Sequence, residues 1–167
     1  GSDNGSGEDA VQAEELLAAQ RLLERYPKRS LDEQLARASA LRVDVPGGTV
    51  RAYRFVPVGD RAAALPVVFV PGWGGVIDGF YETLRAVDPS VELVYVETRE
   101  KRSSSVGRRA SFSMRRIAAD VAAVVRAAGL EDGRYVFAGS SFGGAVAVQA
   151  LADRDARGAI PRPAVTV

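Results

Sequence analysis

Residues 134 to 151, RYVFAGSSFGGAVAVQAL, constrain what this chain can fold into more than any other stretch. Tyr135-Val136-Phe137-Ala138 is an apolar run of strand length. Gly139-Ser140-Ser141-Phe142-Gly143-Gly144 follows at once, and then small, helix-compatible residues from Ala145 to Leu151. A strand that turns straight into a helix leaves no room for side chains beside the turn. Glycine is therefore expected there, as at Gly139, Gly143 and Gly144. Such a turn pushes the hydroxyl of its central residue, Ser141, out at the top of a sheet. The start of the helix then aims backbone N–H groups and the positive end of its dipole at that point. Strand, G-x-S-x-G and helix in that order is the signature of a nucleophile elbow. The alternative is an ordinary Gly/Ser connection.

Around this stretch, strands and helices alternate. Pro66 to Val70, PVVFV, and Val91 to Val96, VELVYV, are continuous apolar runs, as in central parallel strands. Helices are predicted at Phe80–Val87, ended by Asp88-Pro89, and at Met114–Ala128, ended by Gly129. The inward face of the second carries Ile117, Val121 and Val124 or Val125. Leu41 to Val58, with Pro46-Gly47-Gly48 between two alternating runs, reads as an antiparallel hairpin. Gly59 to Leu65 is a surface loop and Thr98 to Ser113 a polar, basic one. Ala152 to Pro161 is a charged connection, and Arg162 to Val167 starts another strand. Right-handed crossovers then give an α/β fold, a mostly parallel sheet flanked by helices. Binding sites in such sheets lie at the C-terminal ends of strands. The three Gly/Ser-rich loops, after PVVFV, VELVYV and YVFA, fall there.

The N-terminal part is organised differently. Residues 1–9, GSDNGSGED, read as a disordered leader. Residues 10–41 form a helical segment. Its first helix, Ala10 to Tyr26, carries Val11, Leu16, Leu17, Leu22 and Leu23 and stops at Pro27. Its second, Leu31 to Leu41, opens on a capping box of Ser30 and Glu33. Residues 42–167 make the α/β domain.

Composition removes several functions. Without cysteine there are no disulfides, thiolate metal sites or thiol chemistry. Without histidine, no mechanism using imidazole as base or metal ligand can be completed by these residues alone. A net charge of +1 gives no global attraction to nucleic acid or membrane surfaces. No apolar run approaches the roughly 20 residues that cross a bilayer. The polar, acidic N-terminus is not a secretory signal, which leaves a cytoplasmic setting as the expectation. No metal-ligand spacing, G-x-G-x-x-G or Walker loop occurs, so no metal or cofactor is implied.

With the hairpin, the Pro71-Gly72-Trp73-Gly74-Gly75 loop, the loop beginning TREK and GSSFGG in place, residues Leu41 to Val167 resemble the N-terminal part of the α/β-hydrolase family. The resemblance implies that Ser141 is the nucleophile. It makes the N–H of Phe142 one oxyanion donor and that of Trp73 the second, with Pro71 where the family often has histidine. It places the acid and the histidine of the triad beyond Val167, so the domain reads as truncated. None of Asp78, Asp88, Asp120, Asp132, Asp153 and Asp155 sits where the family has its acid, and Asp120 reads as structural. The implied function is hydrolysis of an ester, thioester or related acyl bond of a small-molecule substrate, with a chain that alone has little or no activity. The alternative is a non-catalytic binding or scaffold module of the same fold. An edge strand at Pro163 to Val167 predicts a chain that is weakly stable, aggregation-prone, or complemented by a C-terminal polypeptide.

Three further features carry two readings each. Trp73 either walls a substrate pocket or fills the core. Ser140, beside the nucleophile, is expected to point away and be structural. Arg99, Lys101, Arg102, Arg108, Arg109, Arg115 and Arg116 form either a solvated face or a patch that steers an anionic substrate.

Overall fold

A computed structural model describes residues 10–11, 13–18, 20–21, 30–59, 64–157 and 160–167. The leader 1–9, the predicted helical residues 22–26 and part of the 59–65 loop lie outside the described residues. Those described between 10 and 21 are helical, with Val11, Leu16 and Leu17 exposed. Then follow α1 (Leu31–Ala36), β1 (Ala38–Val45), β2 (Gly48–Phe55), β3 (Val67–Val70), α2 (Ile77–Leu84), β4 (Leu93–Glu97), β5 (Ser105–Val106), α3 (Met114–Ala127), β6 (Val136–Gly139), α4 (Phe142–Arg157) and β7 (Val165–Thr166).

The strands form one sheet in the order β1-β2-β4-β3-β6-β7, with β5 on β2. Strands β4, β3, β6 and β7 run parallel, and β1 and β2 join them as an antiparallel lead-in. Alternation along the central strands sends Val68, Val70, Val94 and Val96 to one face, where α3 and α4 pack. Leu93, Tyr95, Val67 and Phe69 go to the other, under α1 and α2. Full burial of each such side chain contributes about 1.5–3 kcal/mol. On β6 only Phe137 is fully buried; Val136 and Ala138, facing the α1–α2 side, are half-buried.

Local chemistry explains most boundaries. Helix α3 starts where the Ser113 hydroxyl accepts from the Arg116 N–H. It ends in a paired motif, Gly129 N–H to Arg126 O and Leu130 N–H to Val125 O, with Gly129 at φ +73°. The predicted second helix, Leu31 to Leu41, is shorter than its pattern suggested. It stops at Ala36, and the capping box does not form, because the Ser30 side chain makes no capping bond. The chain leaves the helix at Arg37. The Arg37 guanidinium donates to the carbonyls of Val56, Pro89 and Val91 and to Gln34 Oε1. Ala38 then pairs with Phe55 as the start of β1. At the other end, α4 runs on to Arg157, so residues 152–157 are helical rather than a connection. The first α/β helix begins at Ile77 rather than Phe80, since Glu97 Oε1 accepts the Ile77 N–H at 2.6 Å and fixes its start.

The polar loop after β4 holds a buried ion pair. Arg99 donates to both carboxylate oxygens of Asp120 at 2.5 and 2.9 Å, to Ser111 O at 2.8 Å and to Pro46 O at 2.9 Å. It thereby ties the hairpin turn, the loop and α3 together. Burial pushes the Asp120 carboxyl above its ordinary range, and the guanidinium pulls against it. Tyr135, buried and donating to Pro161 O at 2.6 Å, has its hydroxyl pushed up to about 12 by burial. Among the described residues no helix is long and apolar enough to cross a membrane.

Removing one member of a buried pair leaves the other charge unpaired. Asp120→Ala is expected to cost about 3–5 kcal/mol, read as a lower urea midpoint. Arg115→Ala, where an exposed arginine pairs with a half-buried Asp153 at 3.5 Å, should shift stability by about 1 kcal/mol.

Candidate active site

At the C-terminal end of β6 the chain turns through Ser140 and Ser141 and enters α4 at Phe142. Ser141 has φ +52°, and no other described non-glycine residue has a positive φ. Such a conformation costs a residue with a Cβ of order 1–3 kcal/mol and is held by its surroundings. Those surroundings are main chain. Ser140 N–H donates to Val70 O, while Ser140 O and Ser141 O accept from Gly143 and Gly144. A Cβ on Gly139 would lie 2.6 Å from Gly143 O, and one on Gly143 would lie 2.0 Å from Val70 O and 2.5 Å from Pro71 O. Neither position can hold a side chain. A Cβ on Gly144 would meet Gly139 O at 3.6 Å, an ordinary contact.

Ser141 is exposed and its hydroxyl bonds no other side chain among the described residues. The loop after β3 lies against it, since a Cβ on Gly72 would sit 3.6 Å from Ser141 Cβ. That loop turns tightly, with Gly75 N–H donating to Gly72 O at 3.0 Å and Gly74 at φ +68°. The turn does not use the Trp73 N–H. Among the described residues neither Trp73 nor Phe142 donates a main-chain hydrogen bond from its amide.

The side chains of these two residues touch. The Trp73 ring meets Phe142 edge-on at 5.0 Å and 86°. Trp73 is 69% exposed, so it is not a core aromatic. Ser140 is also exposed, at the rim of a cavity of about 460 Å³ lined by Phe69, Val76, Phe80, Thr83 and Tyr95. The Tyr95 hydroxyl there is pushed above its ordinary range, mainly by burial and further by Glu97.

The aspartates are engaged elsewhere. Asp88 accepts from Ser90, Asp120 from Arg99 and Asp132 from the Arg162 N–H, while Asp153 pairs with Arg115 and Asp78 accepts from the Tyr81 hydroxyl. The side chain of Asp155 lies outside the described residues. No group of three or more acidic residues that could hold a metal ion occurs among the described residues.

The basic loop divides in two. Arg102, Arg108, Arg109 and Arg115 are exposed and Arg116 is half-buried. Arg99 and Lys101 are buried, so a solvated face is not the environment of those two. Lys101 Nζ donates to Thr98 Oγ1 at 3.1 Å and to Glu100, and lies 5.7 Å from the centre of the Phe142 ring. No local pattern announces this, because a Thr-Arg-Glu-Lys-Arg run reads the same whether it faces water or the interior.

The missing side chain at Gly143 is the most sensitive point of the turn. Gly143→Ala is expected to cost at least about 3 kcal/mol through the main-chain clash with Val70 and Pro71. Thermal denaturation should show a melting point lower by about 6–12 °C, or no folded protein.

No family model matches the chain, and no curated protein matches it. Solved structures do. An α/β hydrolase from Novosphingobium aromaticivorans is 16% identical with TM-score 0.58, matched over 76% of this chain and 43% of that one. Aspergillus niger epoxide hydrolase is 18% identical with TM-score 0.57, over 77% of this chain and 34% of that one. A thermostable carboxylesterase cloned from a metagenomic library is 23% identical with TM-score 0.54, over 86% of this chain and 49% of that one. The chain thus spans less than half the length of each. At such identities the likeness speaks to architecture alone, here the mixed sheet flanked by helices. The chain has the α/β-hydrolase fold, in part.

Proposed function

We propose that this chain carries the nucleophile and oxyanion-hole half of a serine hydrolase acting on an ester, thioester or related acyl bond. The observation that carries the reading is Ser141 itself. It is exposed, held at φ +52° between two glycines that cannot take a side chain, and faced by the loop bearing Trp73. Packing of α4 on β3 sets that backbone conformation, but it calls for no hydroxyl there.

In this reading Ser141 Oγ attacks the acyl carbon and the carbonyl oxygen becomes an oxyanion. The Phe142 and Trp73 N–H groups, which spend themselves on no other main-chain acceptor among the described residues, receive it. The leaving group departs, and water then releases the acyl group from Ser141. The proton of Ser141 needs an acceptor. These residues include no histidine, so the imidazole and its acid come from outside residues 1–167, on a complementing polypeptide or further chain. The related structures include a carboxylesterase and an epoxide hydrolase. A serine beside two amides that have no main-chain acceptor among the described residues suits the carbonyl chemistry, in which a tetrahedral oxyanion forms.

The lack of an imidazole and the engagement of the described aspartates favour a second reading, a binding or scaffold module that keeps the turn for packing alone. Added imidazole separates the two. The hydrolase reading predicts a fluorophosphonate adduct on Ser141, mapped by mass spectrometry and formed faster as imidazole is added. It predicts nitrophenyl ester hydrolysis above the imidazole background that Ser141→Ala removes. Turnover should not exceed the roughly 10³–10⁴-fold over water that oxyanion hole and binding give without a triad. No adduct on Ser141 at any imidazole concentration supports the scaffold module instead.

A further inference from the structure

The two amides assigned to the oxyanion belong to residues from different loops, and something must set the distance between them. The turn closed by Gly75 N–H and Gly72 O brackets Trp73, but the Trp73 amide itself takes no part in it. That residue stands among Gly72, Gly74 and Gly75, where backbone preferences are weakest, and a Cβ at Gly74 would meet nothing within 4 Å. The ring contact of Trp73 is with Phe142, at 5.0 Å.

Phe142 is in turn backed by a buried cation. The Lys101 side chain is 0% exposed and that of Glu100 4%. An ammonium has three N–H donors. Two go to Thr98 Oγ1 and Glu100 Oε1, and the nitrogen lies 5.7 Å from the centre of the Phe142 ring. Thr98 Oγ1 also donates to Glu100 Oε1 at 2.7 Å, so both anchors are themselves held. A buried ammonium beside an aromatic ring is attracted by the ring's quadrupole more strongly than an exposed one.

We infer that Lys101 is a positioning residue, clamping the Phe142 ring against Trp73 and so holding the two oxyanion amides at a fixed spacing. The loops after β3 and β4 and the start of α4 meet in this contact. The inference rests on the hydrolase reading for its catalytic meaning, but the clamp can be read independently of catalysis. Trp73 is the only tryptophan of the chain, so its emission excited at the red edge of the absorption band, where tyrosine and phenylalanine do not absorb, reports its environment.

The experiment compares the unmodified chain with Lys101→Met, Phe142→Leu and the control Arg102→Met, whose side chain is 84% exposed. A Glu100→Gln/Lys101→Met pair removes both buried charges and decides the matter where Lys101→Met does not fold. With far-ultraviolet spectra unchanged, Lys101→Met (or the pair) and Phe142→Leu should both alter the Trp73 signal, and Arg102→Met should not. The imidazole-assisted rate of fluorophosphonate labelling at Ser141 should fall about tenfold in the Lys101 variant, short of the 10²–10³ of losing a donor outright. A Trp73 signal unchanged in folded Lys101→Met, or in the pair, overturns the clamp. A Trp73 signal that changes while labelling keeps its rate overturns the link between clamp and amide spacing. Absence of labelling in the unmodified chain overturns the hydrolase reading and the catalytic role of the clamp with it, whereas the spectra still decide the contact.

Discussion

The structure turns on one close approach of main chain to main chain. The first turn of α4 lies against the end of β3 so tightly that a Cβ on Gly143 would stand 2.0 Å from Val70 O. That approach has two consequences. It forces the link from β6 to α4 to be short, which puts Ser141 at a positive φ and out toward solvent. It also brings the Pro71–Gly75 loop alongside, so that the residue after Ser141 and the residue after Gly72 meet ring to ring. A side chain at the contact would separate β3 from α4 and dissolve the arrangement. The glycines are therefore a structural demand first, and the presentation of the serine follows from it.

Around this contact the sheet is built unevenly. One face is sealed by α3 and α4 over the valines of β3 and β4. The other is covered by α1 and α2 near β1, β2 and β4, while Val136 and Ala138 on β6 stay half-buried and Val165 on the edge strand is exposed. The matched structures run to more than twice the length this chain spans. In the proposed function these residues contribute an attacking group and an anion cradle, and the chain supplies no histidine.

What could be read without coordinates was whatever local pattern determines. Apolar runs too continuous for a half-exposed strand located β3, β4 and β6 within a residue or two. The glycines around Ser141 located the turn, and at Gly139 and Gly143 a side chain would strike main chain. Boundaries set by tertiary partners were not legible. Helix α1 ends at Ala36 because Arg37 finds three carbonyls far along the chain and Ala38 finds Phe55, and no local signal announces those partners. Helix α4 continues to Arg157 although its charged end resembled a loop. The interior of the 98–104 loop was hidden for a related reason. Charge in sequence reads as solvent exposure, yet Arg99 is buried with Asp120, and Lys101 with Glu100 beneath Phe142.

In the proposed mechanism the Phe142 and Trp73 amides converge on the space in front of Ser141. A crystal structure of the chain carrying a phosphonate adduct on Ser141 tests it most directly. The phosphoryl oxygen is expected within about 2.7–3.1 Å of both amide nitrogens. An adduct oxygen turned to solvent, or bonded to neither amide, contradicts it.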